Sequence, residues 1–260
     1  MMAITQKFTT ASLAQTNIQL YGQLEASGYS KEEIGKVARA YGLSQKLFTA
    51  MFRGSGRPFL CHLVGTASVL AHDRAPITEV TAALLHAAYA SGSFPMDMQR
   101  AGIAAKREWI RKEVGEKTEV LIYDYHRFSW NSVALKRLAD EMATELLPIL
   151  RLRLANELDD LADNGMRYSE SAKSAMVDDS GNRELLALLA GRVGLPYLER
   201  KLNLLLENYE RINGRNVIEE TVGRDFSYIL LPPVATERLL FRFGKFNNRV
   251  RRRITRLFSR

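Results

Sequence analysis

The sequence predicts an all-α fold, a helical bundle that continues into a helical extension at the C-terminus. Apolar residues recur at helical spacing through most of the chain, beginning with the segment 13–24. Ser30 and Glu33 form a capping-box pattern, which is typical of a helix N-terminus. Strand-like runs are few, and the best of them, SYILLPPVA at 227–235, contains paired prolines that favour an extended loop.

Glycine and proline predict where several helices end. Gly28 is a plausible stop for the first helix. Pro148 marks the start of a helix, or a kink, within the long periodic segment 136–165. The stretch Gly194–Pro196 separates two further helices, and the polar segment 165–182 is the best candidate for a loop.

Composition limits the class of protein. The 260 residues, 46% apolar and 25% charged, suit one large soluble domain, alone or with an extension. The single cysteine, Cys61, cannot form an internal disulfide, which favours a reducing cytosol. The N-terminus has no apolar signal region and no segment approaches 18 uninterrupted apolar residues, so we expect neither secretion nor a membrane span.

Two histidines are the first candidates for chemistry. His62 ends the stretch RGSGRPFLCH, and His86 lies 24 residues later in AALLHAAYASG, each beside an apolar helical run. Imidazole is a common metal ligand, and two of them on a helical scaffold suggest a metal site. The plainer alternative is a pair of buried, hydrogen-bonded histidines that bind nothing.

These stretches resemble the HD-type hydrolase domain of RelA/SpoT (p)ppGpp enzymes. RGSGRPFLCH resembles that family's R-x-S-G-x-P-[YF]-x-x-H signature, TAALLHAAYAS its AALLHDVVEDT, and LRLRLANELDDL its LIKLADRLHNM, in the same order. The resemblance covers residues 35–165 and implies an HD-like helical domain over 1–210, followed by an extension over 211–260. It also implies that Arg53 and Ser55 bind substrate and that a divalent metal is the cofactor.

The acidic positions of that family are missing. The metal-binding carboxylate after the second histidine is replaced by Ala87, and the late aspartate by Asn156. The Glu-Asp pair that supports hydrolysis falls on Ala90 and Ser91. Two imidazoles and an amide lack the anionic ligands that hold Mn²⁺. The resemblance therefore predicts the fold and argues against (p)ppGpp hydrolysis.

A rebuilt metal site is the alternative. Asn156 and Asp160 stand at i and i+4 on one helix face, so Asp160 could join His62, His86 and Asn156 around Mn, Fe or Zn. His126 and Asp124 could also point inward. The plainer alternative is that Asp159 and Asp160 pair with Arg151 or Arg153 on the protein surface.

The C-terminal tail carries the excess charge of the chain. Residues 238–260 hold nine basic residues and no acid, so the other 237 residues sum to 8 − 9 = −1. An apolar stripe lies beside the arginines, which suits an anionic membrane surface. Docking on the body or on a partner protein is the alternative, and nucleic acid is less favoured. The residues expected at the membrane are Phe243, Phe246, Arg249, Val250, Arg252, Arg253 and Leu257.

The function expected from the sequence is that of a binding or accessory module, cytoplasmic and peripheral at the inner membrane face. The alternative is a metal-dependent enzyme that acts on a phosphorylated or polar small molecule. The sequence does not identify that ligand.

Overall fold

The structure of the chain is a computed structural model, which describes residues 13–95, 98, 100–163, 175–209 and 228–229. The predicted all-α fold is confirmed. The helices in chain order are α1 (Asn17–Ala26), α2 (Lys31–Phe48), α3 (Phe59–His72), α4 (Ile77–Ala83), α5 (Ala88–Ser91), α6 (Ile103–Val114), α7 (Glu116–Arg127), α8 (Ser132–Asp140), α9 (Leu147–Ala162), α10 (Ala175–Asp178), α11 (Ser180–Arg192) and α12 (Pro196–Glu207). A short 3₁₀ helix spans Thr144–Leu146, and two-residue strands span Met51–Phe52 (β1) and Tyr228–Ile229 (β2).

Local sequence signals place most of these helix ends. Ser30 and Glu33 form the predicted capping box at the start of α2. Gly28 follows α1 with a φ of 79°, a left-handed conformation that glycine adopts without a steric penalty. Pro148 lies in the first turn of α9, where its missing N–H costs nothing.

The loop predicted over 165–182 is partly wrong. Two helices, α10 and α11, begin inside it, because Asp179 accepts a hydrogen bond from the backbone of Asn182 and caps α11. The remainder of that segment, 165–174, lies outside the described residues. The same is true of the predicted loop beyond Ile229, of the predicted domain boundary at 210–211 and of the tail at 238–260.

The centre of the bundle is α3, which packs against α1, α4 and α9. Its sequence FLCHLVGTASVLAH is apolar on every side, and most of the helix is buried. A helix that is apolar all round has no solvent-facing stripe and belongs in a core. α3 therefore brings its few polar side chains, His62 among them, into the interior of the protein.

The compact unit that holds these helices spans residues 1–228, and residues 229–260 form a second unit. Among the described helices none combines the length and the hydropathy needed to cross a lipid bilayer.

Candidate functional site

His62 and His86 lie next to each other in the interior. His62 is on α3 and His86 is in the turn between α4 and α5, and the packing of α3 against α4 brings the two rings together. Their ring centroids are 5.3 Å apart and their planes meet at 78°. Both side chains are buried. The pair inferred from the sequence is therefore a spatial pair.

Hydrogen bonds define which ring nitrogens carry protons. His62 Nδ1 lies 2.8 Å from Oδ2 of Asp159, and His86 Nδ1 lies 2.8 Å from the backbone oxygen of Ala83. Both oxygens are acceptors, so each Nδ1 donates and each Nε2 carries a lone pair. His62 Nε2 is buried and has no hydrogen-bond partner in the described part of the chain.

Burial keeps both imidazoles neutral. It lowers the pKa of His62 to about 3, with Arg53 adding to the effect. It also lowers the pKa of His86 to about 3, with His62 as the next contributor. A metal-binding histidine is held in the same way, by an Nδ1–H donated to a carboxylate or carbonyl oxygen.

Asp159 and Asp160 point toward His62 and are each paired with an arginine. Arg57 donates to Asp159 from Nη1 at 2.8 Å and from Nη2 at 3.1 Å, and Arg53 Nη2 lies 2.6 Å from Asp160 Oδ1. Asp160 Oδ1 also lies 3.4 Å from His62 Nδ1. Burial raises the pKa of Asp159, and the Arg57 guanidinium opposes that rise.

The alternative pairing of these acids with Arg151 or Arg153 is wrong. Arg151 pairs with Glu79 at 3.3 Å, and Arg153 donates to backbone oxygens of Tyr125 and Phe128. The two aspartates turn inward because they lie on the face of α9 that packs against α3.

His62, Asp159 and Asp160 form a group that could hold a metal ion. One potential ligand atom from each of the three lies within 4.8 Å of the other two. In the structure, however, each of the two carboxylates already has an arginine guanidinium as its counter-ion.

A pocket of about 250 Å³ opens beside His86. We call it the arginine pocket; it is lined by Arg53, Phe59, His86, Ala87, Ala90, Ser91, Tyr125, His126, Arg153 and Asn156. Six of these residues, namely Arg53, His86, Ala87, Ala90, Ser91 and Asn156, occupy positions that the family resemblance singled out. No acidic side chain is among them, because the positions that are acidic in the resembled family are Ala87, Ala90, Ser91 and Asn156 here.

The remaining predicted residues lie in the pocket wall or behind it. Ser55 donates to Asp163 at 3.1 Å instead of lining the pocket. Asn156 donates to Asp160 at 3.3 Å, so its amide connects the pocket to the ion pairs behind it. His126 is exposed and lies at the pocket wall, whereas Asp124 is absent from the lining.

The residues present fit only half of the metal site of the resembled family. The imidazole half fits, since His62 and His86 both keep Nε2 free of a proton. The acidic half does not, since Ala87 offers no ligand and Asn156 offers only a neutral amide oxygen, while its Nδ2 donates to Asp160. The described residues at these four positions therefore do not form a four-ligand HD-type metal site.

Sequence analysis missed three contributors to the site. Arg57 lies in the stretch that precedes α3, and only 10% of its side chain is exposed. Arg153 was considered only as a surface partner for an acid, yet it lines the pocket with its guanidinium 3.6 Å from the centre of the Tyr125 ring. Gly65 carried no signal at all. A Cβ at that position would lie 1.8 Å from Asp159 Oδ1, so only glycine leaves room for this carboxylate.

A family model described as "Domain of unknown function (DUF6817)" matches residues 45–129. The match includes His62, His86 and most of the pocket lining, and it excludes α9 with Asn156, Asp159 and Asp160. Comparison with curated proteins finds no match.

Proposed function

We propose that this chain is an HD-like helical domain, related to the hydrolase domain of RelA/SpoT proteins, that has lost (p)ppGpp hydrolysis and binds a small anion in the arginine pocket. The all-α fold, the ordered motifs and the adjacent histidines support the relationship. Alanine, serine and asparagine at the four acidic positions support the loss of hydrolysis. The protein then acts as a binding or accessory module.

The charge of the pocket is the observation that carries the proposal. Arg53 and Arg153 both line it, and none of the described lining residues is acidic. Arg53 is balanced by Asp160. Arg153 makes no ion pair with any described residue, and its Nε is buried without a hydrogen-bond partner among them. A guanidinium held in this way favours a phosphate or carboxylate ligand.

The test is calorimetric titration of the purified protein with inorganic phosphate. The wild type should bind, and Arg153→Gln should bind at least about tenfold more weakly because a charge-assisted hydrogen bond is lost. Arg137→Gln is the matched control, since Arg137 is exposed on α8 outside the pocket. No binding by the wild type, or equal affinity in all three proteins, would contradict the proposal.

A metal-dependent enzyme with a rebuilt site is the second candidate, and the His62, Asp159 and Asp160 group favours it. Such an enzyme would use Mn, Fe or Zn and act on a phosphorylated or polar small molecule. Elemental analysis of the purified protein tests this candidate. His86→Ala and Asp160→Ala should each remove a bound metal, and Asp163→Ala should retain it. Absence of metal from the wild type, or equal content in all variants, would exclude this candidate.

A further inference from the structure

His86 gives the arginine pocket a hydrogen-bond acceptor. Its Nδ1 donates to the backbone oxygen of Ala83, so the lone pair of the neutral ring is on Nε2. No described residue donates a hydrogen bond to that Nε2. The ring lines the pocket, so its acceptor can be satisfied from the pocket side by a ligand or by water.

The surroundings of His86 prevent it from becoming a donor. The ring is 4% exposed and packs against Tyr125 and His62, with centroids 5.1 Å and 5.3 Å away. Arg53 and Arg153 line the same pocket, so a positive charge on the ring would lie beside two guanidiniums. The pocket therefore combines guanidinium donors with one nitrogen that can only accept.

We infer that the ligand of the arginine pocket is a small anion that carries its own O–H donor, with hydrogen phosphate as the simplest member of the class. The inference rests on the proposed anion-binding function and adds its chemical selectivity. The guanidiniums of Arg53 and Arg153 hold the oxyanion, and the ligand hydroxyl donates to Nε2 of His86. An anion with acceptor oxygens alone would place an oxygen lone pair against that of the imidazole, and neither would be satisfied.

Phosphate and sulfate provide a matched pair of probes. Near pH 8 both are tetrahedral dianions of similar size, but hydrogen phosphate keeps one O–H and sulfate has none. Calorimetric titration of the full chain, in buffer that contains a chelator, should give a phosphate affinity at least about tenfold above that for sulfate. A site built to pair with a ligand hydroxyl discriminates strongly against the analogue that lacks it.

Two histidine variants test whether His86 causes the preference for phosphate over sulfate. In His86→Gln the side-chain amide can donate as well as accept, so the ratio of the two affinities should fall to about one. His72→Gln is the control, because His72 ends α3 and is absent from the lining of the pocket, and it should keep the wild-type ratio. Circular dichroism and thermal unfolding establish whether each variant is folded. If His86→Gln does not fold, the ratio of phosphate to sulfate affinity of the wild type still tests the inference.

The outcomes separate this inference from the function on which it rests. If neither anion binds, the anion pocket itself is refuted, together with its selectivity. If both bind with equal affinity, the pocket stands and the selectivity is refuted. A preference for phosphate that appears only without the chelator would assign it to a bound metal and overturn the role given to His86.

Discussion

Arg57 holds Asp159 by two hydrogen bonds, one of 2.8 Å from Nη1 to Oδ2 and one of 3.1 Å from Nη2 to Oδ1. The side chains are 10% and 1% exposed, so the pair is almost removed from water. Oδ2 of Asp159 also accepts a hydrogen bond from Nδ1 of His62. Arg57 and His62 from one stretch of the chain and Asp159 from α9 thus form one buried unit, and its charge is balanced without an added ion.

Removing Arg57 should destabilise the protein strongly. Arg57→Met leaves the carboxylate of Asp159 buried without its counter-charge, which costs about 3–5 kcal/mol in the free energy of unfolding. Lys36→Met is the control, since Lys36 pairs with Glu32 on the exposed side of α2 and should cost less than about 1 kcal/mol. Urea denaturation of the three proteins measures both values. Similar losses of unfolding free energy in the two variants would show that the buried ion pair stabilises the protein no more than the exposed one.

Gly65 should not tolerate a methyl group. Gly65→Ala places a Cβ within 1.8 Å of Asp159 Oδ1 and should reduce the free energy of unfolding by about 1–3 kcal/mol or more, because the carboxylate must leave its seat. Gly42→Ala is the matched control in α2, where a Cβ meets nothing within 4 Å. That variant should gain about 0.5–1 kcal/mol from helix propensity. A Gly65→Ala protein as stable as the wild type would contradict the placement of Asp159.

Glu79 should make stability depend on pH. Burial raises the pKa of this carboxyl to about 7 from 4.5, with Arg151 opposing the rise. Because the pKa of Glu79 is higher in the folded than in the unfolded protein, the protonated carboxyl stabilises the fold. This stabilisation is complete below about pH 4.5 and is lost as the pH rises through 7. Between about pH 4.5 and pH 7, the free energy of unfolding of the wild type should therefore fall by on the order of 3 kcal/mol relative to that of Glu79→Gln.

Urea denaturation at several pH values checks the Glu79 prediction. Glu32→Gln, which removes an exposed acid of α2, should follow the wild type at every pH. Parallel curves for the wild type and Glu79→Gln would contradict the prediction, because they would mean that folding does not change the pKa of Glu79.

Purified protein should not hydrolyse ppGpp, even with added Mn²⁺. Ala87 and Asn156 replace the acidic metal ligands, and Ala90 and Ser91 replace the acids that support the attacking water, which costs many orders of magnitude in rate. Restoring aspartate at positions 87 and 156 should not recover activity, because positions 90 and 91 still lack their acids. Release of pyrophosphate from ppGpp by the wild type, followed by chromatography, would refute the prediction.

The basic tail should bind anionic lipid. Residues 238–260 carry nine basic residues beside an apolar stripe, and each arginine near a membrane surface contributes on the order of 1 kcal/mol. Full-length protein should co-sediment with anionic vesicles and not with neutral ones, whereas a form ending at Glu237 should stay in the supernatant. Salt should weaken the binding only in part, since the Phe and Leu contribution is not screened.

Two results would reject the lipid prediction for the tail. If full-length protein also stays in the supernatant with anionic vesicles, the tail does not bind membrane. If the form ending at Glu237 is insoluble or unfolded, the apolar stripe covers the protein body instead.

The sequence by itself determined the helices and the two histidines of the site. Helix ends depend on neighbouring residues, and so the capping box of Ser30 and the break at Gly194–Pro196 could be read directly. The motif stretches predicted His62 and His86, whose rings are in fact adjacent. The helix ends depend only on residues close in sequence, and the two histidines were found because each stands in a short recognisable motif.

Only the tertiary structure decided which charges meet. Arg57 and Asp159 are 102 residues apart, and Arg153 faces the pocket instead of an acid. Such choices depend on how α3, α4 and α9 rotate against one another, and periodicity says which face is buried without saying what it contacts. The site is therefore an arginine-lined pocket backed by ion pairs because packing, and not the motif, sets the partners of its side chains.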